Sequence, residues 1–424
     1  MTEDQQCVVV GAGIVGLACA YSLASSGYRP LVIDADKPGS GASSGNAGWI
    51  VFAPDLVAPV PGPGVVRTSL RWLVQRDSPL HLVPRIDSSY LRWLAAFLLS
   101  CNRRTAAAGL RATLALNAGS AELFDALERD GLEFEMECLG VLVVYRRRQD
   151  FELARARLEG GDERGTRARI LSGDEALAAE PLLRSDACVG AIHYHADRHV
   201  RPEKLVEALV QRLERMGIEM RTQSPCIGVI RDGRRIVGVR TPTEIIRART
   251  YVFAAGAAMS EVARHAGVRL PVEGGRGYSF DVARDELPVR TPVYVYDARL
   301  ALTPFREHTR VVGMMELGAR DATVRRRAIE TMNRLGADCF RSWPATDTRD
   351  AWAGLRPMTP DGLPVIGGVE GIQNLYFAGG HGMLGVTLSL RTGEAIAEYL
   401  QHDGAIDPRL RPFAPSRLAR TAHL

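Results

Sequence analysis

Six residues near the start of the chain, Gly11-Ala12-Gly13-Ile14-Val15-Gly16, constrain the fold more than any other feature. The β-branched run Cys7-Val8-Val9-Val10 precedes them, and a helical stretch to Ser25 follows. A second apolar strand, Leu31-Val32-Ile33, ends in Asp34, 23 residues after Gly11. Each part has a physical task. Gly11 permits a tight turn off the strand, and Gly13 lets backbone N–H groups approach a pyrophosphate at the positive end of the helix. Gly16 lets the helix lie close on the sheet, and Asp34 can accept hydrogen bonds from ribose hydroxyls. A glycine triplet alone says little. Strand, helix, strand and acid in that order predict an α/β unit that binds a dinucleotide, without separating a flavin from a nicotinamide.

The balance of 53 basic against 49 acidic residues, +4 overall, is too mild for a nucleic-acid partner. Seven cysteines (Cys7, Cys19, Cys101, Cys138, Cys188, Cys226 and Cys339) are dispersed and include no C-x-x-C pair. That argues against a disulfide framework and against a zinc or iron–sulfur centre, and predicts reduced thiols in a cytoplasmic protein. His193, His195 and His199 cluster with Asp197, but no metal site is expected there. The first strand begins so early that no signal peptide is expected. No apolar run reaches the ~18–20 residues of a membrane span. The nearest, Leu91 to Ser100, contains Arg92 and is followed by Arg103 and Arg104. It predicts a helix packed on the core, with a peripheral contact to the cytoplasmic face of the inner membrane as the alternative.

After Asp34 comes a loop of small residues, Gly39 to Gly48, able to lie against a planar ring, and then Pro54, Pro59, Pro61 and Pro63 break regular structure. Leu70 to Leu132 reads as helical and Val141-Leu-Val-Val-Tyr145 as a strand. A helix is expected from Pro202 to Met216. Cys226 to Ile230 and Ile236 to Val239 flank a hairpin turn, and Tyr251-Val-Phe-Ala-Ala255-Gly256 is a strand ending in glycine. Alternating strands fill Pro271 to Gly318, a charged helix Arg320 to Leu335. Leu363 to Ile366 and Asn374 to Ala378 are strands, and Met383 to Leu400 a helix. The chain thus leaves the nucleotide unit and returns to it twice, which predicts two interleaved domains. The expected division is 1–55, 190–270 and 350–401 for the nucleotide domain, 56–189 and 271–349 for a substrate domain on a mixed or antiparallel sheet, and 402–424 as an exposed C-terminal extension.

Four segments resemble the D-amino acid oxidase-like superfamily of FAD-dependent amine oxidoreductases, which has a Rossmann-like FAD-binding domain. They are Gly11 to Gly48, Gly277-Tyr278-Ser279, Ala301 to Arg306 with Val311 to Glu316, and Trp352 to Gly367 with Gly379-Gly-His381-Gly-Met-Leu-Gly385. Within the superfamily the chain looks most like the small subunit of bacterial D-amino acid dehydrogenase and its D-hydroxyproline dehydrogenase relatives. The resemblance implies FAD, held noncovalently, since no Cys lies in Arg356–Gly367 and no His in Gly39–Gly48. It would place Gly11, Gly13, Ile14, Val15, Gly16, Asp34, Ala35, Cys226, Ala255 and Gly256 around the adenosine and pyrophosphate. Ser43, Ser44, Asn46, Ala47 and Gly48 would line the flavin. Gly380, Gly382, Met383, Leu384 and Gly385 would bring a helix N-terminus to the end of the ring that becomes anionic on reduction.

The implied reaction moves the Cα hydrogen of an amino acid to the flavin as hydride, with electrons passed on to a quinone or another electron-transfer partner. Arg suits the substrate carboxylate. Arg356 is the first candidate, followed by Arg276 and Tyr278, and then Arg306. His381 is expected to hold flavin or substrate. Oxidases of the superfamily carry the carboxylate-binding Arg directly after a Pro on this strand. Here Phe305 follows Pro304, and Arg306 comes one place later, on the opposite face of a strand. That departure favours a dehydrogenase. The alternatives are a glycine, sarcosine or opine-type amine oxidase releasing hydrogen peroxide, and the flavin subunit of a hetero-oligomeric dehydrogenase.

Overall fold

The computed structural model describes residues 5–63, 80–159, 167–344, 351–402, 407–418 and 420–421. The part of the expected helical stretch at 70–79 lies outside them.

The first strand, Gln5–Val10, sits in the middle of a six-stranded sheet. Pro30–Ile33 and then Met220–Arg221 lie on one side of it, and Ala248–Phe253, Ile372–Gly379 and Val365–Val369 on the other. All pairings are parallel except the last. Alternate side chains feed two cores. Cys7 and Val9, with Val32 and Val252, join the cluster under helices Ile14–Ser25, Pro202–Arg215 and Gly385–Gln401. Val8 and Val10, with Leu31, Ile33, Tyr251 and Phe253, join a second cluster beneath the Gly228–Asp232, Arg235–Arg240 and Ile245–Ile246 meander and the Met259–His265 helix. A sheet covered on both faces needs continuous apolar strands, which is why these segments do not alternate in sequence.

The second sheet has nine strands and mixed direction. Its order is Trp352–Met358, Glu273–Ala283, His308–Leu317, Leu300–Pro304, Val293–Val295, Val141–Tyr145, Gly190–Tyr194 and Ala168–Ser172, with Leu80–Leu82 alongside His308–Leu317. Strands Gly190–Tyr194 and Trp352–Met358 belong to this sheet, although the sequence division groups both with the nucleotide unit. Their membership of this sheet is set by cross-strand pairing, which the sequence pattern of short apolar runs does not specify. One face of the sheet carries an apolar core around Tyr278, Phe280, Val311 and Leu302, covered by the Arg326–Cys339 helix.

One further expectation is corrected. The described residues after Gln401 are not an exposed extension. Leu410 and Phe413 are buried in the nucleotide core, and Arg417 pairs with Asp361 at 2.7 Å. The Leu91–Ser100 run lies in helix Ser88–Ser100. Its Tyr90, Trp93 and Phe97 pack on Leu317 and Met358, while Leu91, Leu98 and Leu99 stay exposed. Among the described residues, no helix is long and apolar enough to cross a membrane.

Candidate active site

The glycine motif folds as its residue types require. Gly11 has φ +114°, and a Cβ there would lie 2.4 Å from the Ala254 carbonyl oxygen. One on Gly16 would lie 1.9 Å from the Gly11 oxygen. Gly13 caps the helix with no side-chain partner, leaving backbone donors at its positive end. Ser43 Oγ accepts the Ile14 N–H at 2.8 Å, so the small-residue loop is tied to that helix end. Asp34 is half-exposed at the tip of its strand. Its carboxylate accepts the N–H groups of Ala12 and Asp36 and has no cation partner among the described residues. Its backbone oxygen takes the Ser224 N–H, which brings the approach to Cys226 alongside. Ala254, next to Ala255 and Gly256, donates to the Val10 oxygen, and Gly256 has φ +52°. Ala35 is exposed beside Asp34, and Val15 is half-buried on the helix. Backbone donors, a bare glycine floor and a free acid therefore fit the pyrophosphate and ribose of FAD.

The loop that would face the ring is shaped by its own side chains. Asn46 Nδ2 donates to the Ala42 and Ser43 oxygens, and its Oδ1 accepts the Gly48 N–H. Ser44 donates to the Gly39 oxygen. Sequence reasoning missed the outer brace. Glu203 accepts the Gly45 N–H at 2.8 Å and pairs with Arg310 at 2.7 Å, and Arg310 also donates to the Asn46 oxygen. Thr303 donates to the Ala47 oxygen and accepts from Trp49 Nε1. The available signal was a charge, Arg310, inside an apolar strand.

On the C-terminal side, Gly380 and Gly382 have φ +73° and +56°. The helix begins at Gly385, two residues later than its expected start, with Leu384 as its cap and Met383 exposed. His381 is buried, its Nε2 bound to Thr392 at 2.9 Å, and burial lowers its pKa to about 3. It is neutral and fastens the turn to its own helix, so it does not fit an acid or base role.

Strand Trp352–Met358 spans the gap between these loops. The Trp352 ring occupies the space a Cβ on Gly45 would need, and the Pro357 oxygen accepts the Gly382 N–H at 2.9 Å. Arg356 lies between the two contacts. Its guanidinium leans over Gly277, where a Cβ would be 1.8 Å from Nη1, and it donates to the Met314 oxygen at 3.3 Å. Met314 has φ +59° and forms the extra residue of a bulge opposite Arg276–Tyr278. Among the described residues, Arg356 has no carboxylate partner. Burial lowers it to about 10, so it still carries its charge at neutral pH.

The other candidates are placed differently. Arg276 and Tyr278 face the opposite side of the sheet from Arg356. Arg276 is paired with Glu316 and Asp321, and Tyr278 lies wholly within the apolar core. Neither can bind a carboxylate in the position proposed from sequence, because the cross-strand register sets Arg356 opposite Gly275 and Gly354 opposite Gly277. Arg306 is exposed at a hairpin turn. His199 is buried against the Pro304 oxygen and Asp197 against the Phe52 and Ala53 N–H groups. Among the described residues, no three His, Cys, Asp or Glu side chains converge as metal ligands.

Residues 6–399 match the family described as FAD dependent oxidoreductase (DAO). The chain is 33% identical over 414 residues to D-amino acid dehydrogenase 2 of Ralstonia nicotianae, covering 93% of this chain and 96% of that one. It is 32% identical over 406 residues to D-amino acid dehydrogenase 2 of Pseudomonas aeruginosa, with 93% and 95% covered. The fold is similar to glycine oxidase from Geobacillus kaustophilus, with TM-score 0.76, 21% identity and 98% and 99% of the two chains covered. With a dinucleotide cradle at one end and a cation on a glycine-floored strand at the other, matched along nearly the whole chain, the protein belongs to the DAO family of FAD-dependent oxidoreductases.

Proposed function

We propose that the protein is a dehydrogenase of D-amino acids or of cyclic relatives such as D-hydroxyproline, with noncovalent FAD. One observation carries this reading. Arg356, a charged guanidinium with no carboxylate partner among the described residues, sits between the Gly45 loop and the Gly382 turn. A substrate carboxylate there would form a charge-assisted pair. Because Gly277 and Gly354 carry no side chain, the Arg356 guanidinium and the Trp352 ring lie directly against the strands, where a substrate can meet them. FAD, when bound, supplies the two-electron acceptor for the Cα hydrogen. The substrate amine is neutral when that hydrogen leaves with its electron pair, so the product is an iminium acid. Water then gives the oxo acid and ammonium, or a cyclic imine remains. No side chain need act as a base. The protein's part is orientation by Arg356 and exclusion of water by the two glycine-rich turns. Electrons pass to a quinone or another carrier. The exposed Leu91, Leu98 and Leu99 beside Arg92, Arg103 and Arg104 support a peripheral contact with a membrane holding that carrier.

The test is anaerobic mixing of the yellow protein with D-alanine, D-hydroxyproline, glycine and sarcosine, followed by admission of air. Bleaching by the D-amino acids that persists in air is the expected result. Immediate recovery with peroxide would replace the dehydrogenase with an oxidase. No bleaching by any of them would overturn the reading.

A further inference from the structure

Arg356 is not the only unpaired cation on its face of the sheet. Trp352, Ser279, Val312, Ala301 and Tyr294 are directly paired from strand to strand, so Tyr294 projects from the same face as Trp352 and Arg356. Arg299 donates to the Tyr294 hydroxyl at 3.1 Å, and its guanidinium lies 4.7 Å from the centre of the Tyr296 ring. Both partners are neutral. The nearby Asp297 lies 3.8 Å from Arg146 instead. Among the described residues, no carboxylate pairs with either Arg299 or Arg356.

The backbone reinforces the link. Arg299 has φ +51°, and its carbonyl lies 3.5 Å from where a Cβ on Gly313 would be, one residue before Met314. Met314, with φ +59°, is the residue whose oxygen holds Arg356. Two left-handed non-glycine residues thus stand side by side. The hairpin end carries a long cation at a left-handed position. Arg356 is half-buried and Arg299 is exposed, so of the two charges Arg299 is the outer one.

Two unpaired positive charges ask for two negative ones. An amino acid with a neutral amine brings a single carboxylate. We infer that the site takes an acidic amino acid, its α-carboxylate on Arg356 and its side-chain carboxylate on Arg299, held at the rim by Tyr294 and Tyr296. Placing the second carboxylate at the open end keeps its desolvation cost low. Arg299 is then a specificity-determining residue. This inference rests on the amino acid dehydrogenase reading and on Arg356 as the carboxylate anchor.

D-Glutamate and D-glutamine are nearly isosteric and differ in the charge that Arg299 would read. Anaerobic stopped-flow bleaching of the FAD-loaded protein gives the reduction rate over the dissociation constant for each. The expected result is a preference of at least tenfold for D-glutamate. In Arg299→Gln that preference collapses to within twofold, and in Arg299→Lys it is partly restored. Equal use of the two substrates by the unmodified protein overturns the inference while leaving the dehydrogenase reading intact, provided D-alanine bleaches the flavin. A parallel fall of both substrates in Arg299→Gln also overturns it, because Arg299 would then be holding the α-carboxylate. Bleaching by no amino acid overturns both readings.

Discussion

The two faces of the nine-stranded sheet use the same residue types to opposite ends. On one face Arg276 is buried, paired with Glu316 and Asp321, and roofed by a helix over a tightly packed core. On the other, one strand away, Arg356 has no carboxylate partner among the described residues and lies above a floor of glycine. A buried pair is neutral and inert. An unpaired cation carries a standing desolvation cost that an incoming anion relieves. The proposed chemistry lies on the face that packs less well, and four substitutions test that contrast.

Arg356→Leu should have the largest effect. kcat/KM should fall roughly 100-fold or more, as expected for a desolvated charge pair worth about 3 kcal/mol, while the flavin spectrum persists. Unchanged kinetics would erase the distinction between the faces. Arg276→Leu should instead unfold the protein more easily, by about 3 kcal/mol in denaturant, because Glu316 loses its partner. The folded fraction should still be reduced by substrate. A kinetic defect without a stability defect would place Arg276 in the site after all.

Asp197 tests the edge of the site face, where the segment after the small-residue loop is held. Its carboxyl is buried, accepts the Phe52 and Ala53 N–H groups, and is pushed up to about 7 by burial. An unfolded Asp ionises near 3.9. The stability it contributes is fully present below pH 4 and is lost as pH rises through 7. Unfolding free energy should fall by an amount on the order of 2–4 kcal/mol across that window, and Asp197→Asn should flatten the slope. A stability that rises from pH 4 to 7 with Asp197 intact, and not in the Asn variant, would show the folded carboxylate to be favourably ionised. The smallest effect is expected at Tyr278→Phe. The hydroxyl is buried beside the Arg276–Glu316 pair without a well-formed hydrogen bond, so stability should change by no more than about 0.5 kcal/mol and KM by less than twofold. A large rise in KM would return Tyr278 to the substrate.

The nucleotide cradle was legible because its parts are consecutive and its ligands are backbone groups, for which glycine is the only residue that fits. Gly11 and Gly16 have carbonyl oxygens where a Cβ would stand, and that requirement can be read from the motif. The substrate side was half legible. Arg356 sits in a recognisable segment, but whether an Arg on a strand faces core or cavity depends on parity, and here that is set by pairing with Glu273–Ala283. Nothing in Gly274-Gly275-Arg276-Gly277-Tyr278 reveals which of its residues lie on the face of Arg356. Arg299 and Tyr294 were missed because each acts only after a hairpin brings them together. Glu203 was missed because its partners Gly45 and Arg310 lie 158 and 107 residues away.

The order of strands in the first sheet has a consequence for how the protein is made. Gln5–Val10 leaves the ribosome long before most of its sheet. Its flank on one side is Ala248–Phe253, whose own outer neighbour is Ile372–Gly379. At roughly 5–20 residues per second, the wait between the first strand and the last of these is on the order of 20–70 s. For about the first two-thirds of that interval, until Ala248–Phe253 emerges, the nascent strand presents an open edge and the cradle lacks the wall that Ala254 provides, and the Gly380–Gly385 turn follows only at its end. Cofactor capture is therefore an event at the end of synthesis, and expression at lower temperature, or with a chaperone that shields the early edge, should raise the yield of yellow protein more than adding FAD to the medium.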